Sequence, residues 1–97
     1  MTTFFAIRVE LHGIDHEADT YRNLHARMEA RGFTRKIEAD DGRMWKLPPA
    51  EYRYKSDFPT EVVRDLAFNI ARQEISTKLS VYVVKEVDAA WRGLDLV

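Results

Sequence analysis

His12, Asp15, His16 and His25 are the side chains of this 97-residue sequence best suited to moving a proton or holding a metal. Imidazole titrates near neutrality and can serve as general acid or base. His12 and Asp15 flank the passage from a strand into a helix, where a strand end and a helix start both expose polar groups. The spacing His-x-x-Asp-His matches no zinc pattern, so no metal ligand set is expected, and His25 reads as a half-buried residue of a helix face. Cysteine is absent, which excludes disulfides, thiolate zinc sites and thiol catalysis. Paired catalytic carboxylates, a nucleophile elbow, a phosphate-binding loop and a dinucleotide fingerprint are also missing, so no cofactor is expected. An incidental structural role stands beside a catalytic one for these histidines. If the chain does acid–base chemistry, His12 is the candidate, as proton donor or acceptor.

A second set has the chemistry of polyanion binding. Arg35, Lys36, Arg43, Lys46, Arg53 and Lys55 are interleaved with Trp45, Tyr52 and Tyr54. Cations can follow a phosphate backbone while rings stack on bases. Residues 31–55 carry net charge +3, flanked by 1–30 and 56–97 at −2 each. Glu38, Asp40, Asp41 and Glu51 lie among these bases, and the bland alternative is a solvated hairpin with aromatics at the sheet margin.

The elements that must position these residues follow from periodicity. Residues 4–12 alternate, with Phe5, Ile7, Val9 and Leu11 on one face and Phe4, Ala6, Arg8, Glu10 and His12 on the other, which predicts a half-buried strand. Ala18, Tyr21, Leu24, His25 and Met28 follow helical spacing over 15–31, with Asp15 as N-cap. Gly32 suits the left-handed position after that helix, and Phe33 can then contact Met28. Residues 33–39 form a second strand, Asp41-Gly42 marks a hairpin turn, and 43–47 run back. Pro48-Pro49 prevents 43–55 from being one uninterrupted central strand: either the hairpin tip (38–48) protrudes and 50–55 is the sheet strand, which is the preferred reading, or the strand bends at the prolines. Val62, Val63, Leu66, Ala67, Ile70 and Ala71 stripe a helix over 59–75, capped by Ser56, Asp57 or Thr60. Residues 80–86 form the last strand, and the tail 89–94 is unassigned.

The order β-α-β-β-α-β predicts a single ferredoxin-like α+β domain spanning 1–97. Its expected sheet is four-stranded and antiparallel, with both helices on one face, the first and third strands central, and the reverse face open. A second subunit, RNA or water would cover that reverse; the RNA-recognition aromatic motif is absent. Hydrophobic content of 45% and charged content of 32% exclude collagen-like, low-complexity and disordered classes. No apolar run approaches the roughly 20 residues of a membrane helix, and Arg8 interrupts the apolar start, so no membrane partner and a cytoplasmic location are expected.

The runs Arg8-Val9-Glu10-Leu11-His12, Leu24-His25-x-x-Met28-Glu29-x-x-Gly32-Phe33, Asp41-Gly42 and Lys46-Leu47-Pro48-x-Ala50-Glu51-Tyr52 resemble a family. It is the small bacterial proteins grouped with the type V toxin–antitoxin endoribonuclease antitoxin GhoS. The resemblance covers most of 4–55. It implies a ferredoxin-like fold similar to small CRISPR-associated nucleases, and endoribonuclease activity on the mRNA of a membrane toxin. Those nucleases carry an aspartate at the end of the first strand, where this chain has Glu10, His12 and then Asp15. No functional residue is carried over.

The expected function is that of a small RNA-binding protein, with endoribonuclease antitoxin activity in which His12 moves the proton and Arg43 and Lys46 clamp phosphate. The alternative is a non-catalytic homodimeric interaction module in which Trp91, Leu94 and Leu96 help cover the interface. No small-molecule ligand is specified by the sequence.

Overall fold

Phe5, Ile7, Val9 and Leu11 are each at most 1% exposed, while Phe4 and Arg8 on the alternate positions are exposed. This alternation defines β1 (Thr3–Leu11). The structure is a computed structural model and describes residues 2–97, with Met1 outside the described residues. Burying each of those four side chains contributes about 1.5–3 kcal/mol. They pack under α1 (Asp19–Ala30) through Tyr21, Leu24 and Met28, and under α2 (Thr60–Arg72) through Val63, Ala67, Ile70 and Ala71. Both helices therefore lie on the same face of β1. Arg27 of α1 also donates to the carbonyls of Ile70 and Ala71, which fastens the two helices together.

α1 starts at Asp19, four residues later than the periodicity predicts. The Asp15 carboxylate accepts the Glu17 N–H and makes a turn, so it does not cap the helix. The other end forms as expected. Gly32 has φ +90°, its N–H reaches the Glu29 carbonyl, and the Phe33 N–H reaches the Met28 carbonyl. That is the Schellman pattern, which an L side chain at Gly32 would strain. α2 begins at Thr60 with Pro59 before it and no side-chain cap. Ser56 accepts from the Phe58 N–H instead.

The main sheet has three antiparallel strands in the order β4 (Glu51–Ser56), β1, β5 (Leu79–Lys85). Ile7 pairs with Tyr52 on one side and with Val83 on the other. A four-stranded sheet is not what forms. The second strand meets β4 only at Thr34, whose N–H and C=O both pair with Arg53 at 2.9 and 2.8 Å. β2 (Lys36–Glu38) then leaves the sheet and pairs with β3 (Met44–Lys46) as a separate hairpin. Pro48 and Pro49 lack N–H donors, so β3 cannot run on into β4 as one ladder.

The unassigned tail supplies the hairpin's third partner. Lys46 N–H bonds to the Asp95 carbonyl and Val97 N–H to the Met44 carbonyl, so Leu96 faces Trp45. To get there from β5, residues 86–94 cross the reverse of the sheet. The expected open face is thus partly roofed by its own chain. A cavity of about 740 Å³ lies between Ala6, Arg53 and Val84 of the sheet, Ile37 and Leu47 of the hairpin, and Trp91 and Leu94 of the tail.

The roof is pinned by one ion pair. Arg53 donates twice to the Glu86 carboxylate, at 3.0 and 3.1 Å, with the two side chains only 17% and 12% exposed. The Arg53 guanidinium also lies 3.7 Å from the centre of the Phe4 ring. Removing one member leaves the other charge poorly solvated and unmatched. Glu86→Ala should lower stability by about 1.5–3 kcal/mol, read by urea denaturation. It should also speed tryptic cleavage after Arg92, because the tail loses its anchor.

Candidate functional site

Past Arg8 the pairing of β1 with β4 stops, and the end of β1 is finished by side chains. Val9 N–H still reaches the Ala50 carbonyl, but Leu11 N–H, pointing to the same side, has no strand to meet. The hydroxyl of Tyr21, in the first turn of α1, accepts it at 2.8 Å. Left alone, that buried donor would cost about 1–3 kcal/mol. The same hydroxyl donates to Glu10 Oε2 at 2.9 Å.

Glu10 is the hub of a polar group. His16 Nε2 lies 3.0 Å from its Oε2, and Arg8 Nη2 lies 3.4 Å from its Oε1. The His16 bond, and then the Tyr21 bond, hold the Glu10 carboxyl below the usual carboxylate range. Burial raises the Tyr21 phenol above its ordinary value, with the neighbouring carboxylate adding to it. His16 also stands edge-on to the Tyr21 ring at 5.0 Å.

His12 continues the same face. Its N–H reaches the Lys78 carbonyl, and Nε2 is 2.7 Å from Ser80 Oγ. Ser80 is the cross-strand partner of Glu10. Arg8 and Glu10 therefore stand about 6.6 Å apart along β1, and His12 follows in the turn just past its end. This places a cation, a carboxylate and an imidazole in a row on one surface.

Asp15 and His16 stand at a shallow depression shared with Ile14, Glu17 and Pro49. His25 lies next to this group, its ring centre 6.0 Å from that of Tyr21. It is half-buried, shares a hydrogen bond between Nδ1 and the Tyr52 hydroxyl, and has its pKa pushed down to about 4, by burial first and then by the charges of Arg35 and His16. Burial likewise raises the Tyr52 phenol. Among the described residues no group of three or more His, Cys, Asp or Glu side chains could hold a metal.

The structure divides the basic and aromatic set. Lys36 and Lys46 are exposed and directly opposite each other on the hairpin, and neither has an ion-pair partner among the described residues. Arg35 is half-buried beside them and reaches the Leu47 carbonyl at 3.4 Å. Trp45 is half-buried against Ile37 and Leu96. Arg43 is exposed, ion-paired with Asp41 at 2.8 Å and set 5.5 Å over Trp45. Tyr52 is 1% exposed, so its ring offers no face to a base, which corrects its place among the stacking candidates. It points inward because its partner Ile7 does. Arg53 is taken up by Glu86. Tyr54 stacks on Phe33 at 4.0 Å, and Lys55 stands exposed near Phe4.

Sequence spacing sets Arg8 and Glu10 beside His12 but does not join them to His16 and Tyr21. The alternation along β1 was the available signal, since it puts Arg8 and Glu10 on the face of His12. The Glu10–His16 and Glu10–Tyr21 contacts join a strand to a loop and a helix, and no local spacing encodes them. No family model, curated protein or solved structure matches the chain. The likeness to the GhoS group rests on the quoted residues alone.

His25 makes stability depend on pH. Its folded pKa of about 4 lies below the ordinary 6.5, so the unfolded chain binds the extra proton first. Stability from this group is complete above about pH 6.5 and is lost as pH falls toward 4. Urea midpoints measured from pH 7 to 4 should fall, and His25→Gln should flatten that decline. Glu10 acts in the same direction below the ordinary carboxyl range, which separates the two windows.

Proposed function

We propose that this chain is a small cytoplasmic RNA-binding protein that acts as an endoribonuclease of antitoxin type. The observation that carries the RNA contact is the pair Lys36 and Lys46. Like charges directly opposite each other on a hairpin disfavour the fold. Their cost is recovered when a polyanion lies across them, and Arg35 and the edge of Trp45 sit beside them for phosphate and base contact. Arg43, exposed on the same hairpin, adds a further cation that Asp41 partly offsets. The observed βαβββαβ order, with both helices on one side of the main sheet, is compatible with a ferredoxin-like plan in which the second strand has shrunk to the Thr34 bridge.

The test is anisotropy of a labelled single-stranded RNA oligonucleotide across a salt series. Lys36→Ala with Lys46→Ala should weaken binding at least 10-fold at low salt. Two lost phosphate contacts should also make the slope of log affinity against log salt shallower by about 1.4. Unchanged affinity in the double variant overturns the reading.

A second reading, a non-catalytic homodimeric module, draws on the outer edge of β5. Lys78 and Glu86 turn their backbone groups toward β1, so Leu79, Val81, Val83 and Lys85 turn theirs outward. Two copies meeting antiparallel about a two-fold axis at Tyr82 would pair Val81 with Val83 and Leu79 with Lys85. Lys78 would then face Glu86 across the axis. Nothing charged lies between Ser80 and Val84 to blunt this edge, and Tyr82 is 68% exposed. Light scattering should give twice 11.3 kDa, and Tyr82→Glu, which sets two carboxylates at the axis, should give the single mass. A single mass for the unaltered protein at high concentration overturns this arrangement.

A further inference from the structure

We infer that Arg8, Glu10 and His12, held by His16, Tyr21 and Ser80, form a centre that cuts RNA by transphosphorylation without a metal. The inference rests on the RNA-binding reading and supplies its chemistry.

Such cleavage needs a base at the ribose 2′-hydroxyl, an acid at the departing 5′-oxygen, and a cation at the phosphate. The attacking and leaving oxygens stand on opposite sides of phosphorus, so the base and the acid must be apart rather than touching. Glu10, in β1, and His12, in the turn after it, are two residues apart, a backbone separation of at most about 7 Å. Glu10 meets the first requirement. Its Oε2 is occupied by His16 and Tyr21, while Oε1 has, among the described residues, only the Arg8 guanidinium at 3.4 Å. A carboxylate is ionised at neutral pH and can accept that proton. His12 meets the second. It is exposed, and its ring is braced on Ser80, on the β5 side of Glu10. His16 and Tyr21 stand on the other side, where β4 has ended. Arg8, also 3.7 Å from Glu51, meets the third.

The step balances within the RNA itself. Glu10 takes the 2′-hydroxyl proton, and the 2′-oxygen forms a bond to phosphorus. The bond from phosphorus to the 5′-oxygen breaks, and His12 gives that oxygen its proton. The products are a 2′,3′-cyclic phosphate and a 5′-hydroxyl, and no electrons are transferred to or from a co-reactant. His16 and Tyr21 are positioning residues. The cationic hairpin is near enough to deliver the strand: Lys46 and Pro49 are three residues apart, at most about 11 Å, and Pro49 shares the depression with His16.

The probe is a mixed-sequence single-stranded RNA oligonucleotide, incubated with the purified full chain with and without a chelator. Cutting should survive chelation, leave 2′,3′-cyclic phosphate and 5′-hydroxyl ends, and vanish at any nucleotide made 2′-deoxy. His12→Ala should slow cleavage by about 10²–10⁴-fold while leaving RNA affinity and the denaturation midpoint unchanged, since the ring is at the surface. Glu10→Gln, which keeps the size of the side chain, should do the same to cleavage. Binding without cutting overturns the inference and leaves the RNA-binding reading standing; failure to bind overturns that reading first. Cutting that needs a metal, leaves 5′-phosphates, or persists in both variants also overturns the inference.

Discussion

β1 is hydrogen-bonded along both edges, so each of its residues is committed to one side of the sheet. A shift of one residue would exchange the two sets completely. Phe5, Ile7, Val9 and Leu11 must then meet α1 and α2, and Arg8, Glu10 and His12 must face away. The helices can share one face only because that row is apolar. The polar row exists only because the residues between are not. Core and candidate site are two consequences of one alternating strand.

The end of β1 shows how a sheet is completed without a strand. β4 stops after accepting the Val9 N–H through Ala50, and a buried backbone donor remains at Leu11. Tyr21 fills the vacancy with a hydroxyl rather than an amide carbonyl. Unlike a carbonyl, a hydroxyl can also donate, and it passes the bond on to Glu10. A structural need thereby orients a carboxylate, and His16 shares the same oxygen. Burial acts differently on His25, which has a tyrosine partner but no carboxylate, and it is kept neutral.

The reverse of the sheet is neither open nor sealed. Arg53 and Glu86 draw the tail across it, with Phe4 beneath the guanidinium, and Leu96 then joins the hairpin at Trp45. The hairpin is held to the sheet by the Thr34 bridge and by this strap, not by a continuous ladder. Its face with Lys36 and Lys46, neither ion-paired among the described residues, is directed away from the strap because Ile37 and Trp45 alternate with them and are half-buried or buried.

Local patterns alone determined most of the elements. Period two marked β1, β4 and β5, helical spacing marked α1 and α2, and Gly32 with Phe33 marked the end of α1 through a Schellman turn confined to six residues. The prolines at 48 and 49 foretold the break between β3 and β4 because a missing donor is a property of the residue itself. Asp15 misled, since an aspartate accepts as readily in a turn as at a helix cap. Only the tertiary structure decided that the second strand would yield to a hairpin, that the tail would roof the sheet, that Tyr52 would point inward, and that His16 and Tyr21 would meet Glu10. Each of those depends on which distant segment supplies a hydrogen-bond partner, and such competition between remote donors and acceptors is settled by packing rather than by sequence spacing.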